Sequence, residues 1–194
     1  MLRLINLTEI QNMLLKVSEL TDLQDLRDFS YVAKTKRWLS DLEKILENNR
    51  LIQAGEVAAL RGAIISAENG IFHNGAEFLA KPTKRKMVEA ATSSAIHQAS
   101  SLISKVIQED IARFGEAEQL VRQLVAIAKA KGLLLNIPNN GNHTETLKFI
   151  WRTIAQDPDI APGTVNVEGL VGPYDALILL DRILVVDVLR TNNH

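Results

Sequence analysis

Apolar residues recur at spacings of three and four over most of this chain, the period of an amphipathic helix. Leu23, Leu26, Phe29, Val32 and Ala33 are followed at the same rhythm by Trp38, Leu39, Leu42, Ile45 and Leu46. That run predicts one helix over 22–48 with a single broad apolar face, stopped by Asn48-Asn49. A shorter helix over 9–20 precedes it. Both starts read T-x-x-Q, at Thr8 to Gln11 and at Thr21 to Gln24. In that pattern a threonine hydroxyl caps the helix and the glutamine reaches back to it. A third helix over 53–68 buries Val57, Leu60, Ala63, Ile64 and Ala67, and Asn69-Gly70 is its stop. Residues 71–82 lose the period and read as a loop or a short helical turn.

Thr83 then predicts the cap of a long helical stretch reaching Lys131, with Gly132 just past its end. Its stripe runs through Val88, Ala95, Ala99, Ile103, Val106, Ile107, Ile111 and Phe114, and continues through Leu120, Val121, Leu124, Ile127 and Ala128. Gly115 divides the stretch and is expected to kink or break it, since glycine costs about 1 kcal/mol in a helix interior. Upstream, "AATSSAIHQASS" holds nine Ala, Ser or Thr in twelve positions, a face that admits a close neighbour.

The last third is less regular. "LLLNIP" after Gly132 reads as a short strand or an extended connector, and Asn140-Gly141 as a tight turn. Thr144 is expected to cap a helix over 145–156 that contains Leu147, Ile150, Trp151 and Ile154. "TVNVEG" alternates weakly and reads as a strand. Gly172-Pro173 reads as a helix start with proline at the first position. The segment that follows, "YDALILLDRILVVDVLR", is apolar nearly all round. A buried central helix explains it best, with a strand over Ile183 to Val188 as the alternative. The fold class expected is all-α: a multi-helix bundle with long antiparallel helices and one or two short strands in the C-terminal third. One helical domain over 1–194 is expected, with a sub-boundary near 132–144.

Composition narrows the chemistry. With 194 residues and 46% hydrophobic content, the chain can bury a sizeable core. It has no cysteine, which excludes a disulfide framework, a thiolate metal site and a cysteine nucleophile. "MLRLINLTEI" has no apolar core of signal-peptide length. Asp181, Arg182 and Asp187 interrupt the most apolar run, which falls short of the ~20 residues that span a membrane. A soluble, cytoplasmic protein without a membrane role is the expectation.

Motifs for familiar chemistry are missing. The four histidines, His73, His97, His143 and His194, include no pair at metal-ligand spacing. His73 and Glu77 stand four apart, which more often marks a polar loop than a metal site. No glycine-rich phosphate loop and no nucleophile elbow is present. No cofactor is expected and no catalytic residue is assigned. What remains is charge. The net charge is −1, yet residues 81–132 hold nine basic and five acidic side chains, a local +4. Lys81, Lys84, Arg85 and Lys86 surround the start of the long helix, where the dipole disfavours cations. Lys34, Lys36 and Arg37 form a second cluster beside Trp38. A helix N-terminus with added cations can hold an anion.

Three functions are compatible with these patterns. The first is a structural or protein-interaction bundle without catalysis, self-associating through an apolar face or meeting a protein partner. The second is a phosphate- or nucleic-acid-binding protein using Lys34, Lys36, Arg37, Lys81, Lys84, Arg85 and Lys86. The low pI of about 6.4 counts against it. The third is an enzyme with a site near His73 or His143, where a carboxylate could meet the imidazole.

Overall fold

The computed structural model describes residues 2–71, 83–135 and 142–191, with side-chain surroundings described as far as residue 185 in the last segment. Eight helices occupy these residues: α1 (Leu4–Leu15), α2 (Val17–Asp25), α3 (Tyr31–Asn48), α4 (Gln53–Glu68), α5 (Lys84–Ala130), α6 (His143–Gln156), α7 (Ala161–Val171) and α8 (Pro173–Thr191). No strand occurs among the described residues, so the fold is all-α.

The strand expected at "TVNVEG" is part of α7. Thr164, Val167 and Val171 are buried there while Val165 is exposed. Those buried positions recur at three and four, which a two-residue alternation cannot satisfy. Pro162 in the first turn supports the helix start. Leu133 to Leu135 form a turn, and the rest of "LLLNIP" lies outside the described residues, as does Asn140-Gly141. The alternative strand over Ile183–Val188 is helical, inside α8, and Pro173 opens that helix as its sequence implies.

The two T-x-x-Q sites are not caps. Thr8 lies inside α1 and donates its hydroxyl to the Leu4 carbonyl at 2.8 Å. Thr21 lies inside α2 and donates to the Val17 carbonyl at 3.0 Å. Leu4 and Leu7, both buried, extend the apolar period upstream of Thr8, so α1 begins earlier than the capping pattern suggests. For α6 the cap is Asn142 rather than Thr144. Its side chain accepts from the Glu145 N–H at 3.3 Å. Thr83 does serve the long helix, accepting from the Lys86 N–H at 3.4 Å.

The helix expected over 22–48 is two helices. Arg27 adopts φ 54°, in the left-handed region. The Arg27 N–H donates to the Gln24 carbonyl and the Asp28 N–H to the Leu23 carbonyl, the paired bonds of a Schellman stop. The α3–α4 connection repeats this device with Arg50 at φ 56°, bonded to Glu47, and Leu51 bonded back to Leu46. After α4 and α5 the same position is filled by Gly70 and Gly132, where a left-handed φ costs least.

The contacts divide the chain into two compact units. The first comprises Leu2 and Leu4–Gln108. Within it α3 and α4 form the closest pair, an antiparallel hairpin over Leu39, Leu42, Leu46, Val57 and Ile64, all fully buried. The register is visible in two ion pairs. Lys36 meets Glu68 at 2.7 Å, and Glu43, further along α3, meets Arg61, correspondingly earlier in α4, at 2.8 Å. Helices α1 and α2 pack on α3. The buried Trp38 indole N–H donates to the Met13 carbonyl at 2.9 Å, which fastens α3 to α1.

The second unit comprises Arg3 and Glu109–His194. Helices α6, α7 and α8 pack on one another around Ile150, Ile154, Val167, Leu179, Leu180 and Ile183. The Trp151 indole donates to Glu168 at 2.7 Å, joining α6 to α7. Lys131 bridges Asp157 and Asp159, at 2.7 and 2.6 Å, beyond the end of α5.

Helix α5 contributes to both units and is helical at every residue, Gly115 included. The expected break does not occur. A Cβ at Gly115 would meet open space, so glycine there serves no close contact, and its cost of about 1 kcal/mol is too small to end a helix. Burial along α5 follows Thr92, Ala95, Ala99, Ile103, Ile107, Phe114, Ala117, Val121, Leu124 and Ala128. Ile111 and Ile127, expected in that stripe, are 41% and 45% exposed.

Candidate functional site

The ten positions assigned above to one apolar face do not share one. Leu26 is 78% and Phe29 98% exposed. The left-handed residue at Arg27 breaks the helical period between them and Tyr31, so a pattern continuous in sequence is discontinuous in space. Asp28 fixes the turn. Its carboxylate accepts from the Ser30 N–H at 2.7 Å. Bonds from the Ser30 hydroxyl and N–H, together with the charge of Lys34, hold that carboxyl below the usual aspartate range.

This connection forms one wall of a groove of about 800 Å³ in the first unit. Leu23, Gln24 and Asp25 at the end of α2 line it, followed by Arg27, Asp28 and Phe29 in the turn. Tyr31 and Val32 at the start of α3 and Lys84, Arg85, Val88 and Glu89 of α5 complete the lining. Tyr31 is buried and donates its hydroxyl to Gln24 at 3.1 Å. Burial raises its phenol above the ordinary value, partly opposed by a hydrogen bond with Ser93, with Glu89 adding to the rise. The surface is amphipathic: Leu23, Phe29, Val32 and Val88 are apolar, while Arg27, Lys84 and Arg85 are matched by Asp25, Asp28 and Glu89.

The basic residues singled out from sequence are only partly gathered here. Lys84 and Arg85 line the groove, and Arg85 donates to Glu89 at 2.8 Å across one helical turn. Lys34 is exposed close to the Asp28 carboxylate. Lys36 is not in the groove lining and binds both Glu68 oxygens of α4 at 2.7 and 2.8 Å. Arg37 and Lys86 are exposed outside the groove lining. Lys81 lies outside the described residues. Sequence reasoning missed Leu26, Arg27 and Phe29. A signal was present: Asp28 and Ser30, two residues apart, are types that favour turns and caps over helix interiors.

In the second unit His143 Nε2 lies 2.7 Å from Asp181, so this histidine does meet a carboxylate. His143 is 69% exposed, and the contact links the first turn of α6 to α8. His73 lies outside the described residues. Among the described residues no group of three or more histidines and carboxylates is gathered to hold a metal ion. No described helix is long and apolar enough to cross a membrane.

Comparison with protein-family models, with curated proteins and with solved structures finds no match. The class that fold and groove define is an all-α protein with an open amphipathic groove where α2, α3 and α5 converge.

Proposed function

We propose that this protein is a helical interaction protein without catalytic chemistry, and that it works by self-association. The observation that supports this reading best is the exposure of Phe29 in the lining of a groove that also holds apolar Leu23, Val32 and Val88. Large apolar side chains grouped at one place mark interaction surfaces more often than singly scattered ones do. The His143–Asp181 pair joins α6 to α8, which fits a structural role. A cytoplasmic setting belongs to the same proposal, since a chain without cysteine suits a reducing compartment.

Sedimentation velocity of the full chain over a wide concentration range tests this reading. A mass that rises with concentration to a defined oligomer is the expected outcome. A monomer at every concentration overturns it.

Phosphate or nucleic-acid binding is the second reading, supported by Lys84 and Arg85 on one groove wall. Three carboxylates in the same lining and the engagement of Lys36 by Glu68 weigh against it. Fluorescence anisotropy with DNA and RNA oligonucleotides separates the two. Binding that falls steeply with salt would favour the second reading, because neutralised phosphates release counterions.

A further inference from the structure

We propose that two copies of this chain associate about a two-fold axis through the α2–α3–α5 groove, with the Phe29 ring of each copy seated in the groove of the other. The inference rests on the self-association proposed above and names its surface.

A two-fold interface brings a patch against itself, so the patch must be complementary to its own surface. This one meets that demand in shape. Phe29 projects from the turn with 98% of its surface exposed, and a groove of about 800 Å³ with apolar Leu23, Val32 and Val88 opens beside it. It also meets the demand in charge. Arg85 and Glu89 of the lining pair with each other along α5, which leaves Arg27 and Lys84 against Asp25 and Asp28. The two signs balance, so the lining matches neither a polyanion nor a strongly basic segment. A second copy offers both signs together, which suppresses singly charged partners.

The backbone that carries the projecting ring is also held in place. The Schellman bonds around Arg27 and the 2.7 Å bond from the Ser30 N–H to Asp28 fix the backbone on both sides of Phe29. A knob ordered before binding loses less conformational freedom when it docks. Phe and Arg are among the residue types enriched at such contacts.

The test compares the full natural chain with Phe29→Asp and with Val88→Arg by sedimentation velocity, with circular dichroism confirming unchanged helicity. Phe29 is exposed, so its replacement removes the knob without opening the core. Val88→Arg fills the groove from α5 and leaves Phe29 intact. Each variant is expected to weaken association about tenfold or more, the scale of losing one central anchor. Association by the natural chain that both variants retain would overturn the groove as the surface and leave self-association standing. Loss in Phe29→Asp alone would show that the ring docks elsewhere, and also overturns the proposal. A natural chain that is monomeric throughout removes both this surface and the reading it rests on.

Discussion

The α2–α3 and α3–α4 connections stop their helices with the same backbone device, an arginine in the left-handed region flanked by two Schellman bonds. Their packing is opposite. After the second connection, α4 folds back on α3, the fully buried Leu39, Leu42, Val57 and Ile64 meet, and two ion pairs fix the register. Beside the first connection Leu26 and Phe29 remain in solvent, Phe29 within the groove lining. Beside the second Ile52 is exposed as well, but the helices on either side of it are packed together. The turn is therefore a local decision, made by a few residues and their backbone bonds. Whether the apolar residues next to it are covered is decided by which helices the turn brings together.

The largest expected effect sharpens that contrast. Leu42→Ala should lower unfolding stability by about 2–5 kcal/mol, because the cavity in the hairpin cannot collapse fully. Phe29→Ala should change it by no more than about 0.5 kcal/mol, as surface substitutions do. Chemical denaturation of both variants measures the difference. Equal losses would mean that Phe29 is covered in the folded monomer and that the contrast is false.

Arg27→Gly and Arg50→Gly come next. Each relieves a left-handed conformation that costs a non-glycine residue about 1–2 kcal/mol, partly offset by the extra freedom of glycine in the unfolded chain. Each should raise stability by roughly 0.5–1 kcal/mol, and by similar amounts, despite the different packing around them. A gain at one site alone, read from thermal midpoints, would break the claim that the two turns are equivalent.

Glu43→Gln removes one ion pair of the α3–α4 register while keeping shape. The loss should be below about 1 kcal/mol, since the Arg61 partner is partly solvated. The smallest effect is acid sensitivity of the first connection. Asp28 has a folded pKa below the usual aspartate range, so its contribution is complete above that range. It is lost as pH falls through the depressed value. The α3–α4 turn, Asn49 to Ile52, contains no carboxylate. Hydrogen exchange below the usual aspartate range should therefore show amides after Asp28 losing protection before those after Arg50, and Asp28→Asn should abolish the difference.

Much of the fold was legible because helix period is a local property. The α4 face at Val57, Ile64 and Ala67, though not at the exposed Ala63 or half-buried Leu60 also expected there, the glycine stops at Gly70 and Gly132, the Thr83 cap and the Pro173 start all follow from residues within a few positions of one another. The readings that failed share a cause. Threonine can cap a helix or donate to a carbonyl four residues back. At Thr8 and Thr21 the choice was made by apolar neighbours outside the motif. Arginine is not a usual stop residue, so the break at Arg27 left only the faint Asp28–Ser30 signal. The basic clusters were legible as charge but not as a surface, since apart from Glu89, one turn along α5 from Arg85, the carboxylates beside them come from other segments.

The sequence by itself determined that this chain is mainly helical, because three-and-four spacing and the helix stops act over one or two turns. It left strands open in the C-terminal third that the described residues do not form. Only the tertiary structure decided that Leu26 and Phe29 stand in solvent, that Lys36 is held by Glu68, and that Lys84 and Arg85 share a groove with Asp25 and Asp28. Burial and pairing depend on which segments meet, and residues far apart in the chain are brought together only by packing.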